Sequence, residues 1–142
     1  MSDPEVFVGL DVGKTEHHCV ALNMIGDRLV DRPLPNDEAA LRELFSQLAS
    51  HGPVVLVVDQ PASIGALPVA VAQDMGLATA YLPGLAMRRI ADLHPGTAKT
   101  DARDAYVIAD AARTLPHTLR STDIAGPAMA DLAVLMGYDD DL

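Results

Sequence analysis

Aspartate is the residue type on which any chemistry in this chain rests. Asp11 closes an almost unbroken apolar run, Glu5-Val-Phe-Val-Gly-Leu-Asp-Val12. A carboxylate in such a run is costly unless it is paired or bound to a cation. Either a ligand role or a hydrogen bond to the Gly13 turn accounts for it. Asp59 follows Val54-Val-Leu-Val-Val58, just past the carboxyl end of a buried strand, where open α/β sheets place their sites. Standing alone, it reads as a turn residue ahead of Pro61. The third element is Lys99-Thr-Asp-Ala-Arg-Asp-Ala105. Asp101 and Asp104 are three apart and share a helix face, which continues through Ala105, Ile108, Ala112 and Leu115 on the apolar side. Both carboxylates therefore point toward the sheet at the helix start, and Asp110 falls on the opposite face. Helix N-termini favour acids, which explains Asp101 better than Asp104.

Other motifs carry less. Gly9-Leu-Asp-Val-Gly-Lys-Thr15 invites comparison with a phosphate-binding loop, but three residues separate its glycines where that motif needs four, and Glu16-His-His-Cys-Val-Ala-Leu22 reads as strand, not helix. His17, His18, His51, His94 and His117 have no metal-ligand spacing and read mostly as ordinary surface or strand residues. Ser63 lacks the first glycine of a nucleophile elbow and reads as a helix cap. Cys19, the single cysteine, excludes an intrachain disulfide and a four-cysteine zinc site. It reads as a small buried apolar residue. Lys14, Arg88, Arg89, Lys99 and Arg103 are the candidate phosphate contacts.

The elements that must position these residues emerge from hydrophobic patterning. Residues 5–12, 16–23 and 28–32 read as a three-strand meander. Asn36 or Asp37 caps a helix with Leu41, Leu44, Phe45 and Leu48 at helical spacing, ended by Gly52-Pro53. Strand 54–58 comes next, then a helix from about residue 65 with Leu67, Val71 and Met75 inward and Gly76 as its stop. A strand over 77–82 precedes a helix opened by Pro83-Gly84 and ended before Pro95. Thr100 caps a helix running to Leu115, and a last helix begins after Gly126-Pro127. The fold class is α/β: a mixed sheet, three-strand meander then alternating helices and strands, helices on both faces.

Composition sets the bounds. The 142 residues fit one domain; 49% are hydrophobic but only 4% aromatic, so the core is built from Ala, Val, Leu, Ile and Met. No apolar run reaches the roughly 18–20 residues of a membrane span, and the N-terminus does not resemble a signal peptide. These features predict a cytoplasmic protein with no membrane partner. The net charge of −10 opposes nucleic acid at long range. Its distribution qualifies that: residues 84–120 hold Arg88, Arg89, Lys99, Arg103, Arg113 and Arg120, whereas 121–142 hold five acids and no base.

Taken together, Gly-Leu-Asp11-Val-Gly-Lys, Asp59 and His-Pro-Gly-Thr-Ala-Lys-Thr-Asp101-Ala-Arg-Asp104-Ala-Tyr resemble the N-terminal domain of the DEDD-type insertion-sequence transposases. That domain is similar to the Holliday-junction resolvase RuvC and has a ribonuclease-H-like fold. The resemblance covers about residues 5–120, and Lys-Thr-Asp-x-x-Asp-Ala is its most specific part. It implies that residues 1–120 form a RuvC-like nuclease-type domain and that 121–142 are an acidic helical tail leading into a missing coiled-coil and C-terminal region. It implies Asp11, Asp59, Asp101 and Asp104 as catalytic, metal-binding acids. Many relatives carry glutamate at the second position, where this chain has the shorter Asp59. Four converging carboxylates repel one another unless cations neutralise them, and two Mg²⁺ (or Mn²⁺) ions suit an all-oxygen ligand set and phosphodiester exchange. The resemblance further implies DNA and a guide RNA as partners, a homo-oligomer in the full-length protein, and little activity in this portion alone. Two other readings stand beside it. One is half of an actin-like or sugar-kinase ATPase, which shares a Gly-Leu-Asp-x-Gly first strand but needs a second domain and adenosine motifs. The other is a non-catalytic interaction domain whose aspartates are caps, which predicts no effect of Mg²⁺ on stability.

Overall fold

A computed structural model of the chain describes residues 3–59, 66–83 and 101–121. Strand β1 (Val6–Asp11) turns through residues 12–15 into β2 (Glu16–Asn23), and β3 (Arg28–Pro35) completes the meander. The hydrophobic pattern ends β3 at residue 32, yet pairing with β2 continues to Glu16↔Pro35. Pro33 and Pro35 are tolerated because β3 is an edge strand among the described residues, where a missing amide need not break a ladder. Helix α1 (Glu38–Ala49) is capped by Asp37, whose carboxylate accepts from the Ala40 amide at 2.9 Å. Asn36, the other candidate cap, is used elsewhere. Next come β4 (Val54–Val58), α2 (Leu67–Asp74), β5 (Ala78–Tyr81) and α3 (Asp101–Thr114). Gly76 stops α2 with φ +80°, a conformation glycine adopts without strain. A short 3₁₀ turn, Pro116–Thr118, leads to β6 (Arg120–Ser121). β6 pairs antiparallel with β5 and is too short to show any periodicity in the sequence. The helix expected after Pro83-Gly84, the Thr100 cap and the last helix lie outside the described residues.

The sheet order is β3-β2-β1-β4-β5-β6. β1, β4 and β5 are parallel neighbours, and the outer pairings are antiparallel. Strand alternation sends Val6, Val8, Leu10, Leu56 and Val58 to one face, where α1 and α2 cover them with Leu41, Leu44, Phe45, Leu48, Val69 and Val71. Phe7, Val55 and Val57 point to the other face and meet Val107, Ile108, Ala111 and Ala112 of α3. Val20 and Leu22 meet Ala105 and Ala109 there. Helices on both faces are thus observed. No helix among the described residues is long and apolar enough to cross a membrane.

α3 lies close to the sheet at one point. A Cβ added to Gly9 would collide with the Ala105 carbonyl and stand 2.5 Å from the Ala109 nitrogen. Only glycine lets the helix backbone settle onto β1 there. Arg113, near the other end of α3, lies against Gly26 in the β2–β3 hairpin, its guanidinium 3.2 Å from where a Cβ would stand. That hairpin adjoins the start of β1, since Asn23 pairs with Val6. α3 therefore runs antiparallel to β1 and brings its N-terminal end to the Asp11 end of the sheet.

Candidate active site

Asp11 is the last residue of β1, and Asp59 follows β4 directly. Their strands are parallel, with Leu10 opposite Val58, so the next register step sets Asp11 beside Asp59 at neighbouring carboxyl ends. Adjacent strands lie about 4.8 Å apart. Both aspartates are half-buried and both have interaction partners. Asp11 follows Phe7 and Gly9 in the alternation, and so belongs to the face that α3 covers. Asp101 begins α3, and Asp104 sits half-buried beside Ala105, the residue that closes on Gly9. Three of the four expected acids, Asp11, Asp59 and Asp104, thereby border one end of the sheet. The side chain of Asp101 lies outside the described residues.

Among the described residues, no three His, Cys, Asp or Glu side chains are grouped closely enough to hold a metal ion. The expected acids are all carboxylates, a ligand type that by its chemistry suits Mg²⁺ or Mn²⁺ and needs no imidazole or thiolate. Cys19 lies in the core under α1, where burial pushes its thiol up to about 12 and the nearby Arg32 lowers it only in part.

Of the expected phosphate contacts, Lys14 is exposed in the β1–β2 turn next to Asp11, and Arg103 is half-buried on α3 and has an interaction partner. Arg88, Arg89 and Lys99 lie outside the described residues. The β1–β2 turn leads into strand β2, so the glycine-rich segment opens no helix and has none of the geometry of a phosphate-binding loop.

Two histidines differ from their reading as ordinary strand residues. His18 is the register partner of Asp11, and its Nε2 is 2.7 Å from Asp31 Oδ1, whose other oxygen accepts from Arg28 at 3.0 Å. Arg28 in turn lies 4.7 Å from the Tyr106 ring centroid of α3. His17 is buried at 3% exposure. A signal for it exists in the sequence: His17, Cys19 and Ala21 alternate inward on β2, and an inward imidazole requires polar partners. Those partners, Gly13 and Asn36, are set by the turn and by the end of β3, which spacing does not reveal. Asp110 is no plain solvent-facing acid either, because it is 20% exposed and paired with Arg113 at 2.9 Å.

The fold is the ribonuclease-H-like α/β class of the RuvC resolvases. The solved RuvC of Thermus thermophilus superposes with a TM-score of 0.54 at 16% identity, covering 82% of this chain and 99% of that one. The same organism's RuvC in complex with a Holliday junction substrate gives 0.53 at 12% identity. Within that class the family is specific: the family model DEDD_Tnp_IS110, described as transposase, matches residues 8–142, and the chain belongs to that family. The chain is 60% identical over 141 residues to the 43.6 kDa protein of insertion element IS110 from Streptomyces coelicolor. It is 36% identical over 145 residues to the 42 kDa protein of insertion element IS900 from Mycobacterium paratuberculosis. It spans 35% and 36% of the lengths of those two relatives.

Proposed function

We propose that the chain is the metal-dependent, strand-cleaving domain of a DNA transposase. In the full-length protein it would act as a homo-oligomer with DNA and a guide RNA. The observation that carries this reading is the placement of Asp11 and Asp59 at adjacent parallel strand ends, with α3 bringing Asp104 to the same end. Membership of the transposase family supports the substrate class, and the guide RNA and homo-oligomer rest on the family resemblance. Residues 1–120 would be the nuclease-type domain and 121–142 the start of the next region.

Asp11, Asp59 and Asp104, with Asp101, would supply oxygen ligands to one or two Mg²⁺ or Mn²⁺ ions. Such ions, when bound, polarise phosphoryl oxygens and lower the pKa of a water or hydroxyl nucleophile. The contributions of the chain itself are structural and electrostatic. The Gly9 contact holds α3 at the depth that brings Asp104 to the strand ends. Mutual repulsion among the acids makes the site dependent on a counter-cation. Lys14 and Arg103, with Arg88, Arg89 and Lys99, would draw the phosphate backbone to an otherwise acidic surface. With a net charge of −10 and few such contacts, the 142 residues alone would cut DNA poorly.

Replacing Asp104 by Asn keeps its shape and removes its charge, and thermal melts with Mn²⁺ or with chelator test the reading. For the unsubstituted chain, Mn²⁺ at a hundredfold excess over its dissociation constant should add about 2.7 kcal/mol. For Asp104→Asn the metal-free chain should be as stable or slightly more so, and the Mn²⁺ increment should largely vanish. An Asp104 that merely caps a helix would show the reverse: lower stability and an unchanged metal response. Exposed Glu43 is a better control position than paired Asp110.

A further inference from the structure

His17 is the one buried polar side chain in the described core, and it is placed where an apolar residue would serve packing better. On β2 it alternates with Cys19 and Ala21, both in the core under α1, and its register partner on β3 is the buried Leu34. Both ring nitrogens are engaged. Nδ1 accepts from the Gly13 amide at 3.1 Å, and Nε2 lies 3.0 Å from Asn36 Oδ1. A backbone amide only donates, so Nδ1 is bare and Nε2 carries the hydrogen. The ring is therefore a neutral relay between the two partners. Asn36 continues the chain of bonds. Its side-chain nitrogen donates to the Lys14 carbonyl at 3.4 Å, and its backbone amide donates to the Thr15 carbonyl at 3.1 Å. Gly13, Lys14 and Thr15 are thus each tied, through His17 or Asn36, to the junction of β3 and α1. These are the residues that immediately succeed Asp11 and Val12. The junction itself is fixed, since Asp37 caps α1.

We propose that His17 is a positioning residue of the candidate active site. Through Gly13 and Asn36 it holds the β1–β2 turn, and thereby the Asp11 carboxylate and the Lys14 ammonium, in the geometry that metal and phosphate require. A leucine at this position would satisfy the core and release the turn. A glutamine can accept from the Gly13 amide and donate to Asn36, the two functions that the imidazole supplies. The proposal rests on Asp11 being a metal ligand.

The test measures Mn²⁺ affinity, from the loss of free-ion paramagnetic resonance signal, alongside metal-free melting of the 142-residue chain. The variants are His17→Leu, His17→Gln, Asn36→Ala and Asp11→Asn. Partners that orient metal ligands typically change affinity about 10–100-fold. His17→Leu and Asn36→Ala should therefore weaken Mn²⁺ binding at least about tenfold at temperatures where they remain folded. His17→Gln should stay close to the unsubstituted chain. Should His17→Leu fail to fold, Asn36→Ala carries the comparison, because its substitution is at an exposed residue. Lowered melting temperatures with unchanged Mn²⁺ affinity would overturn the positioning role, as would a His17→Gln variant that binds as weakly as His17→Leu. If the unsubstituted chain shows no Mn²⁺ binding that Asp11→Asn removes, the metal reading itself fails and the proposal goes with it.

Discussion

The two faces of the sheet are built on different principles. Under α1 and α2 the packing is thick: Leu41, Leu44, Phe45 and Leu48 fill the space above Val6, Val8, Leu10, Leu56 and Val58. Under α3 it is thin where the helix crosses β1 and β2, with Gly9, Ala105 and Ala109 at the contact. Large side chains provide burial energy but leave a helix some freedom to shift by rotamer adjustment. A backbone-to-backbone contact leaves none. The acids obey the same division: Asp101 and Asp104 ride on the thinly packed helix, whereas α1 and α2 carry none of the expected site residues. One face supplies most of the burial energy and the other sets the depth of α3, with His17 the single polar residue buried in the described core on the thickly packed side.

Truncation of an apolar side chain on the thick face should have the largest effect on stability and none on the site. Phe45 is fully buried, so Phe45→Ala should cost about 4 kcal/mol, read as a lowered urea midpoint. Its Mn²⁺ response, measured where the variant is still folded, should be intact. A loss of that response would break the division between the faces.

The matching test on the thin face is Gly9→Ala. The added methyl meets helix backbone, and α3 must lift. Overpacking of this kind costs about 3 kcal/mol. Here the metal response should fall together with stability, because Asp104 moves with the helix. A variant as destabilised as this one that still responds fully to Mn²⁺ would detach the helix position from the site.

Cys19 probes the thick face electrostatically. Its thiol is raised from 9.0 to about 12 in the folded chain, chiefly by burial. The stability tied to the protonated thiol is fully present below pH 9 and is lost as pH rises toward 12, because the unfolded chain ionises first. Between pH 7.5 and 10 the unsubstituted chain should lose about 1.4 kcal/mol more than Cys19→Ala, measured by urea unfolding. Parallel pH curves for the two proteins would show that solvent reaches the thiol.

The smallest effect belongs to the start of α1. Asp37→Ala removes the bond to the Ala40 amide and should cost about 1 kcal/mol. It should leave Mn²⁺ affinity near its original value, because Asn36 rather than Asp37 holds the turn. A tenfold weakening would extend the positioning network into the helix cap.

How much of the molecule is legible in its sequence depends on how local each cause is. The runs at 6–11, 16–23 and 54–58 and the Leu41-Leu44-Phe45-Leu48 stripe announce themselves, because burial on one or both faces imposes a period that a reader can see. Asp11 and Asp104 stand out for the same reason, as charges where the pattern calls for apolar residues. Asp59 does not stand out by itself. Only the parallel register of β1 and β4, with Leu10 opposite Val58, makes it a neighbour of Asp11, and register is a long-range property. The extension of β3 through two prolines depends on its being an edge strand among the described residues, and β6 is defined only by its pairing with β5. His17 illustrates the limit most clearly. Its inward position on β2 is written in the alternation of His17, Cys19 and Ala21, but its role depends on Gly13 and Asn36 converging on one ring. The sequence by itself determined the periodic elements, the family motif and the candidate acids, since each arises from local burial and residue type. The tertiary structure decided which strand ends lie side by side, how deeply α3 sits on Gly9 and which amide the buried imidazole holds. Those depend on pairings between segments far apart in the chain, and no local pattern encodes them.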